Sequence, residues 1–436
     1  MRILFFPSDR GGGFGHISRC LVLAQEAKDR GYSSAFVLND MKYERQVGSQ
    51  FPLFMVKPPR SRSKQIFSTL MRIVPKKHGT TPLYVGISGL DYQVVRDGLV
   101  TQENIEYILT RYEGVVKSFK PDVLIGDTNL LVWMLSSKVA LPMVQVVRYA
   151  SHPKTGKLIW WKNETDGMNP PSPGLLFNPI LNRLGLNPIE KAEHLLRGDL
   201  YIVPSIPEIE PIPQDDKTIH VGQLSVSEIN EEVPVWLEDI NDDNPLIYMT
   251  IGGGAGPVGN KLCFQTAINA FANKPIEVVI STSAKCSELD FPCLPKNIRI
   301  FQWVPGRLLI SRADLIIFHG GYGTMMECLA YGKPSITIPF QTEQEGNGRR
   351  LEQLGCGRVV KLSREDYKQI RSKWRYGTYS FLVQNRYDLN PDELIGKVNE
   401  VLFSNEYLNN AQRLQSKIKE YHGAGKAMEL IEKYSS

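Results

Sequence analysis

Residues 316–348 read IIFHGGYGTMMECLAYGKPSITIPFQTEQEGNG. His319 ends an apolar run, Gly320, Gly321 and Gly323 bare the backbone, and Thr324 stands at the head of a helical pattern. Unsatisfied N–H groups at a helix start, a backbone without Cβ atoms and an imidazole together suit a diphosphate. Glu327, about one turn further on, is in reach of a ribose hydroxyl. A second apolar run, SITIPF, then delivers Glu343 and Gln344, a carboxylate and an amide of the kind that hold the vicinal hydroxyls of a sugar. Phosphate, ribose and hexose groups in that order read as a nucleotide sugar. Glu327 alone would be an ordinary solvated helix residue, and only the order of the whole set gives it a ligand.

Two further glycine loops follow apolar runs. In SDRGGGFGHISRC, Gly15, expected to let the backbone approach the donor diphosphate, precedes His16 at the start of a helical pattern. A neutral imidazole with an ordinary pKa near 6.5 can accept a proton at physiological pH, so His16 is the candidate general base. Asp127 ends the run VLIGD on the same strand edge and can fix the imidazole tautomer and stabilise the imidazolium. The plainer readings are a helix-start histidine and a helix-capping aspartate. In TIGGGAGPVGNK, Gly254, Gly256 and Gly259 match G-x-G-x-x-G after a strand. A dinucleotide site also wants an acid at the end of the next strand. EVVISTSAK offers Ser, Ala and Lys there, which argues against NAD and leaves NADP through Lys285 as a minor alternative. A P-loop needs Lys-Ser/Thr directly after the last glycine and does not find it. What remains is a glycine turn, with Gly252 and Gly253 at its head, suited to a diphosphate.

Elements that could position these groups are visible as patterns. Short Val/Ile/Leu/Phe runs alternate with amphipathic helical segments, as parallel strands buried on both faces do. The first half has runs at 2–7, 33–39, 123–127 and 143–147, with a helix near 16–30. The second has them at 245–252, 277–282, 298–304, 315–320, 335–340 and 358–362. Between the halves, 203–217 and 228–245 are proline-rich and acidic, which reads as linker. The expected class is α/β with two doubly wound parallel-sheet domains facing across a cleft: 1–225 for the acceptor and 226–404 for the nucleotide-sugar donor. Residues 405–436 are expected to form helices packing back toward the N-terminal domain. A chain of 436 residues is too long for one core and accommodates this division.

Composition narrows the partners. A net charge of +5 with near-balanced acids and bases does not suit a protein dedicated to nucleic acid. The six cysteines lack any C-x-x-C spacing, so neither zinc nor a disulfide framework is indicated and a reducing cytoplasm is expected. The opening MRILFFPSDR is too short in its apolar run for a signal sequence, and LLVWMLSSKVALPMVQVV is too interrupted to span a membrane. Residues 57–78 hold seven Lys/Arg and no acid. They read first as a solvated loop, with a lid or a peripheral membrane contact as the functional alternatives.

The segment WVPGRLLISRADLIIFHGGYGTMMECLAYGKPSITIPFQTEQ, 303–344, resembles the donor signature of the GT-B-fold, family 1 type nucleotide-sugar glycosyltransferases, which include plant, macrolide and sterol enzymes. GHISRCLVLAQEAKDRGY, PDVLIGD and HVGQL match at their expected places. The resemblance implies that Trp303 stacks on the base and the Val304 backbone reads its edge. It further implies that His319, Gly321, Gly323 and Thr324 hold the diphosphate, Glu327 the ribose, and Glu343 with Gln344 the hexose. Two departures stand out: Gly306 replaces the family's Gln after Trp-x-Pro, and Arg19 stands where Pro is usual. Gly-His-x-x-Arg-Cys is instead similar to the UDP-sugar hydrolase of the pseudaminic acid pathway. With no Asp-x-Asp and no His-Glu-x-x-His, the expected chemistry is metal-independent, inverting transfer from a nucleotide sugar, UDP-hexose ahead of dTDP or GDP donors, to a hydroxyl acceptor. No separate cofactor is expected. The alternatives are hydrolysis in the same cleft and a non-catalytic nucleotide-sugar-binding protein.

Overall fold

The computed structural model describes residues 1–10, 14–57, 83–161, 166–213, 215–225, 233–240, 243–252, 257–283, 286, 290–360, 367–385 and 389–435. In the first half the strands are β1 (Arg2–Pro7), β2 (Ser33–Leu38), β3 (Leu53–Met55), β4 (Tyr84–Gly86), β5 (Val123–Asp127), β6 (Met143–Val146), β7 (Leu200–Val203) and β8 (Thr218–His220). The second half has β9 (Leu246–Thr250), β10 (Glu277–Ser281), β11 (Ile298–Phe301), β12 (Leu315–Phe318), β13 (Ser335–Thr337), β14 (Gly357–Val359), β15 (Lys368–Trp374) and β16 (Gly377–Gln384). Two parallel sheets result, in the orders β3-β2-β1-β5-β6-β7-β8 and β11-β10-β9-β12-β13-β14. The strands are buried on both faces, as the unbroken apolar runs require. Ile3, Leu4, Phe5 and Phe6 of β1, and Leu315, Ile316, Ile317 and Phe318 of β12, are fully enclosed.

In each sheet the strand order reverses beside the first strand of its half, and ligands of open α/β sheets sit outside the carboxyl ends at such reversals. In the first sheet the reversal lies between β1 and β5, whose ends are in register as Pro7 beside Asp127. In the second it lies between β9 and β12, with Thr250 beside Phe318. The loops leaving these ends are those carrying Gly15-His16, Gly252 and His319. Helix Gly15–Asp29 follows β1 and buries Ile17, Cys20, Leu23, Ala24 and Ala27 at helical spacing, which sets its cleft-facing end over the β1–β5 reversal.

Segment 203–217, expected as linker, is packed instead. Ile206 and Ile209 enter the core of the second half with Phe318, Tyr322 and Met326, and Ile212 packs with Val147, Tyr201 and Val203. Isoleucines at three-residue spacing override the prolines around them. Helix Asn405–Lys419 lies on helix Tyr322–Ala330 of the second half, whereas helix Gly423–Ser435 lies on helix Gly15–Asp29 of the first. The basic segment falls outside the described residues from 58 onward. No helix among the described residues is long and apolar enough to cross a membrane.

A third sheet, β15-β16-β4, was not anticipated. The antiparallel hairpin β15–β16 leaves the second half and pairs β16 with β4 of the first, Leu382 beside Gly86. Buried Tyr379 sits edge-on to Tyr92, whose hydroxyl donates to the Ser380 carbonyl at 2.5 Å. Asn169 and Ser380 exchange backbone hydrogen bonds. The hairpin therefore fastens the halves through β4. Tyr379→Ala should cost about 3 kcal/mol as a buried aromatic truncation and accelerate proteolytic cleavage within 368–384. Unchanged melting and cleavage would show that the hairpin does not fasten the halves.

Candidate active site

The donor loops are built around one imidazole. A Cβ at Gly252 would fall 2.7 Å from His319 Cε1, and one at Gly321 would fall 2.5 Å from Nε2, so the ring occupies the space between two bare backbones. Gly252 and Gly320 also hold φ of +57° and +85°, a region that costs residues with a side chain. At Gly320 a Cβ would meet the Gln344 carbonyl at 2.4 Å. Gly321 caps helix Tyr322–Ala330, which begins two residues ahead of Thr324. The leading N–H groups, those of Tyr322, Gly323 and Thr324, have no carbonyl before them in the helix and carry its positive end toward the gap.

A cavity of about 660 Å³ lies between the halves, within the roughly 300–1,000 Å³ range of small-molecule sites. Gly15, Ser18 and Arg19 line it from the first half, and Tyr322, Gly323 and Glu327 from the second. Glu327 faces Arg307, Nε to Oε1 at 3.3 Å, and both border this space. Val304 is buried, while Trp303 is 71% exposed and stands outside the lining residues. Gly253 and Lys285 lie outside the described residues. Gln344 is turned inward: its amide oxygen accepts from Phe340 N–H at 2.9 Å and it is 3% exposed.

In the first half, one turn from the cavity-lining Arg19, His16 Nδ1 lies 2.7 Å from Asp127 Oδ1; His16 and His319 themselves are not among the residues lining that cavity. Asp127 is fully buried and the His16 side chain is 33% exposed. Burial alone would raise the Asp127 carboxyl, but Arg19, then His16, holds it down at about 2. An ionised carboxylate only accepts, so Nδ1 carries the proton of this bond, and in the neutral imidazole Nε2 is then the ring nitrogen with the lone pair. Arg19 clasps the same carboxylate, Nε to Oδ2 and Nη2 to Oδ1, each at 2.9 Å.

Glu343 meets a residue that the sequence reading missed. Arg148, just past β6, donates to Glu343 Oε1 at 2.7 Å, to Asn347 Oδ1 at 2.6 Å and to Glu210 Oε1 at 3.1 Å. Its guanidinium lies 3.5 Å from the Tyr322 ring centre, and Arg19 approaches the same ring at 5.8 Å. Burial would raise the Glu343 carboxyl, yet Arg148 and Asn347 hold it below the usual carboxylate range. Arg148 sits on the carboxyl edge of the first sheet, where β6 pairs with β5, Val146 beside Asp127. That edge position was the available signal; the pairing with a residue 195 positions away was not. Among the described residues, no three His, Cys, Asp or Glu side chains cluster to hold a metal ion.

Residues 265–378 match the family described as erythromycin biosynthesis protein CIII-like, C-terminal domain. The NDP-glycosyltransferase YjiC of Bacillus subtilis is 26% identical over 75% of this chain and 76% of its own length. A PGL/p-HBAD biosynthesis glycosyltransferase of Mycobacterium tuberculosis is 23% identical over 57% of this chain, and the match spans 61% of that relative's length. The crystal structure of CalG4, the calicheamicin glycosyltransferase, superposes with a TM-score of 0.71 at 18% identity, covering 99% of this chain and 98% of its own.

The depressed Asp127 carboxyl has a pH consequence. Its folded value of about 2 lies below the ordinary 3.8, so its contribution, about 2 kcal/mol, is complete above pH 4 and is lost as pH falls toward 2. Asp127→Asn should melt at lower temperature near neutrality yet show a shallower decline of Tm between pH 5 and pH 2. Parallel declines in the two proteins would contradict a depressed Asp127.

Proposed function

We propose, for a chain that belongs to the GT-B, family 1 type of glycosyltransferases, that it moves a sugar from a nucleoside diphosphate to an acceptor hydroxyl with inversion and without a metal. The observation that carries this reading is the convergence of two switch points on one cavity: helix Gly15–Asp29, which bears the carboxylate-oriented His16, lines it through Gly15, Ser18 and Arg19, and the N-terminus of helix Tyr322–Ala330, beside the glycine-ringed His319, lines it through Tyr322 and Gly323. His16 Nε2 takes the acceptor proton while the acceptor oxygen bonds the anomeric carbon and the bond to the diphosphate breaks. The imidazolium so formed keeps its Nδ1–H bond to Asp127. The departing diphosphate carries its charge into the N-terminus of helix Tyr322–Ala330, which supplies roughly half a unit of positive charge.

The donor is read as a UDP-sugar ahead of dTDP or GDP species. Trp303 with Val304 is assigned to the base, Glu327 with Arg307 to the ribose end, and Glu343 to the hexose. Gln344 would then shape its loop through Phe340 rather than touch the sugar. The acceptor bears a hydroxyl, and the N-terminal half receives it.

His16→Ala should lower turnover by about two to four orders of magnitude with donor affinity nearly intact, measured by nucleotide titration and a product assay; loss of donor binding would reassign His16. In a thermal-shift panel UDP species should rank first, and sugar release to water without any acceptor would assign hydrolysis instead. Glu343→Ala should raise the donor KM at least tenfold while the affinity for the bare nucleoside diphosphate stays unchanged. Equal losses for both ligands would move Glu343 out of the sugar site.

A further inference from the structure

His16 and Arg19 are three residues apart on one helix and therefore share a face. Both point at Asp127, and its Oδ1 accepts from the two of them, His16 Nδ1 at 2.7 Å and Arg19 Nη2 at 2.9 Å. The guanidinium nitrogen thus lies 2.9 Å from His16 Nδ1 itself. Arg19 is 8% exposed, and Asp127 is its carboxylate partner among the described residues. A buried pair of this kind is a poor way to gain stability, because desolvation of both ions offsets their attraction. Its position against the candidate base suggests a different use.

The charged groups facing His16 come from several elements. Asp127 reaches it from β5, and Glu343 acts on it from helix Thr342–Gln353 across the gap. Each acid favours the imidazolium. Each acid is also claimed by its own arginine, Asp127 by Arg19 and Glu343 by Arg148, and the two guanidinium groups share the Tyr322 ring. A histidine facing one buried and one half-buried carboxylate, both unpaired, would hold its proton well above neutrality and fail as a base there.

We propose that Arg19 is a positioning residue of the transfer step: its two-point grip on Asp127 fixes the carboxylate that orients His16 and offsets the negative charge that would otherwise keep His16 protonated. This rests on the reading of His16 as general base. The proton path is unchanged: acceptor hydroxyl to Nε2, with Nδ1–H held by Asp127 throughout. Arg19 neither gives nor takes a proton. A lysine here keeps the charge but has no planar fork, so it holds only part of the geometry.

The test compares wild type, Arg19→Lys, Arg19→Met and Arg19→Met/Asp127→Asn as full-length proteins. Long-range ¹⁵N NMR of the imidazole reports the His16 tautomer and titration midpoint, and turnover is followed against pH. In Arg19→Met the midpoint should rise by about one pH unit or more, and the acidic limb of kcat/KM should move up with it. Arg19→Lys should recover most of the shift. Arg19→Met leaves a buried carboxylate with less compensation, so circular dichroism and melting accompany it. The double variant carries neither buried charge, and its midpoint should fall below that of Arg19→Met, or below pH 7 where the single variant does not fold. A midpoint in Arg19→Met within about 0.3 units of wild type, a double variant equal to the single one, or a loss of turnover uniform across pH would overturn the proposal. Absence of sugar transfer by the wild type would end the general-base reading, whereas the NMR midpoints decide the electrostatic role of Arg19 without any turnover.

Discussion

The guanidinium of Arg148 joins the two halves at the point where chemistry would occur. It arrives from the first sheet, holds Glu210 of its own half, and reaches Glu343 and Asn347 of the other. Breaking one side of a buried ion pair typically costs 3–5 kcal/mol because the remaining charge is stranded, so the distance between the two switch points is set by this contact more than by any apolar packing near it. Neighbouring polar contacts obey the same logic. Tyr84 donates to Glu345 at 2.7 Å, and Arg350 caps the Glu208 and Ile209 carbonyls of the crossing segment. A seam built this way between two carboxyl edges can admit polar ligands, since exchanging one hydrogen-bonding partner for another costs little, whereas wetting an apolar seam would not be repaid.

Within the second half, the imidazole of His319 dictates the glycines around it. The ring needs the volume that side chains at Gly252 and Gly321 would take, and the turn that presents it needs the positive φ at Gly320. The triplet His-Gly-Gly is therefore one structural statement. It places a ring nitrogen beside a helix N-terminus with the backbone exposed on both flanks.

How much of this was legible follows from the range of the interactions involved. Strands buried on both faces announce themselves as unbroken apolar runs, and most were found, although the buried β7 was missed and β10 to β14 end one to three residues before their runs do. Helix Gly15–Asp29 lies within a residue of its pattern. The three-residue strand β3 and the partner strand β8 were too short to rise above loop composition. The hairpin β15–β16 was overlooked despite period-two alternation, with Ile370, Ser372 and Trp374 half-buried between exposed Arg371, Lys373 and Arg375. Its pairing with β4 joins positions some 300 residues apart, Leu382 to Gly86, and nothing local encodes that. Segment 203–217 failed in the other direction: prolines outweighed three isoleucines that turn out to be core. Arg148 was beyond reach because a side chain's partner across a cleft is a tertiary fact, whereas the inward turn of Gln344 is a local contact with the Phe340 N–H that composition does not announce. Arg19 was noticed as unusual but given no task until Asp127 was seen between it and His16.

The two arginines of the cleft differ in what they can release. Arg19 has a single carboxylate among its described partners, and letting go of Asp127 would strand both charges in a buried place. Arg148 has two acids and an amide, so Glu343 can turn toward another donor while Glu210 and Asn347 still hold the cation. The space reflects this. The cavity lined by Arg19, Tyr322 and Glu327 offers about 660 Å³, whereas the pocket beside Arg148 and Glu343 amounts to about 10 Å³. On the proposed reading a bound hexose would need room there; exchange of Glu343 Oε1 from a guanidinium to a sugar hydroxyl would create it while Glu210 still neutralises Arg148 and the 32% exposed Glu343 keeps a hydrogen bond. On the proposed reading, adjustment is concentrated beside Glu343 and rigidity beside His16, where a proton transfer would tolerate little displacement.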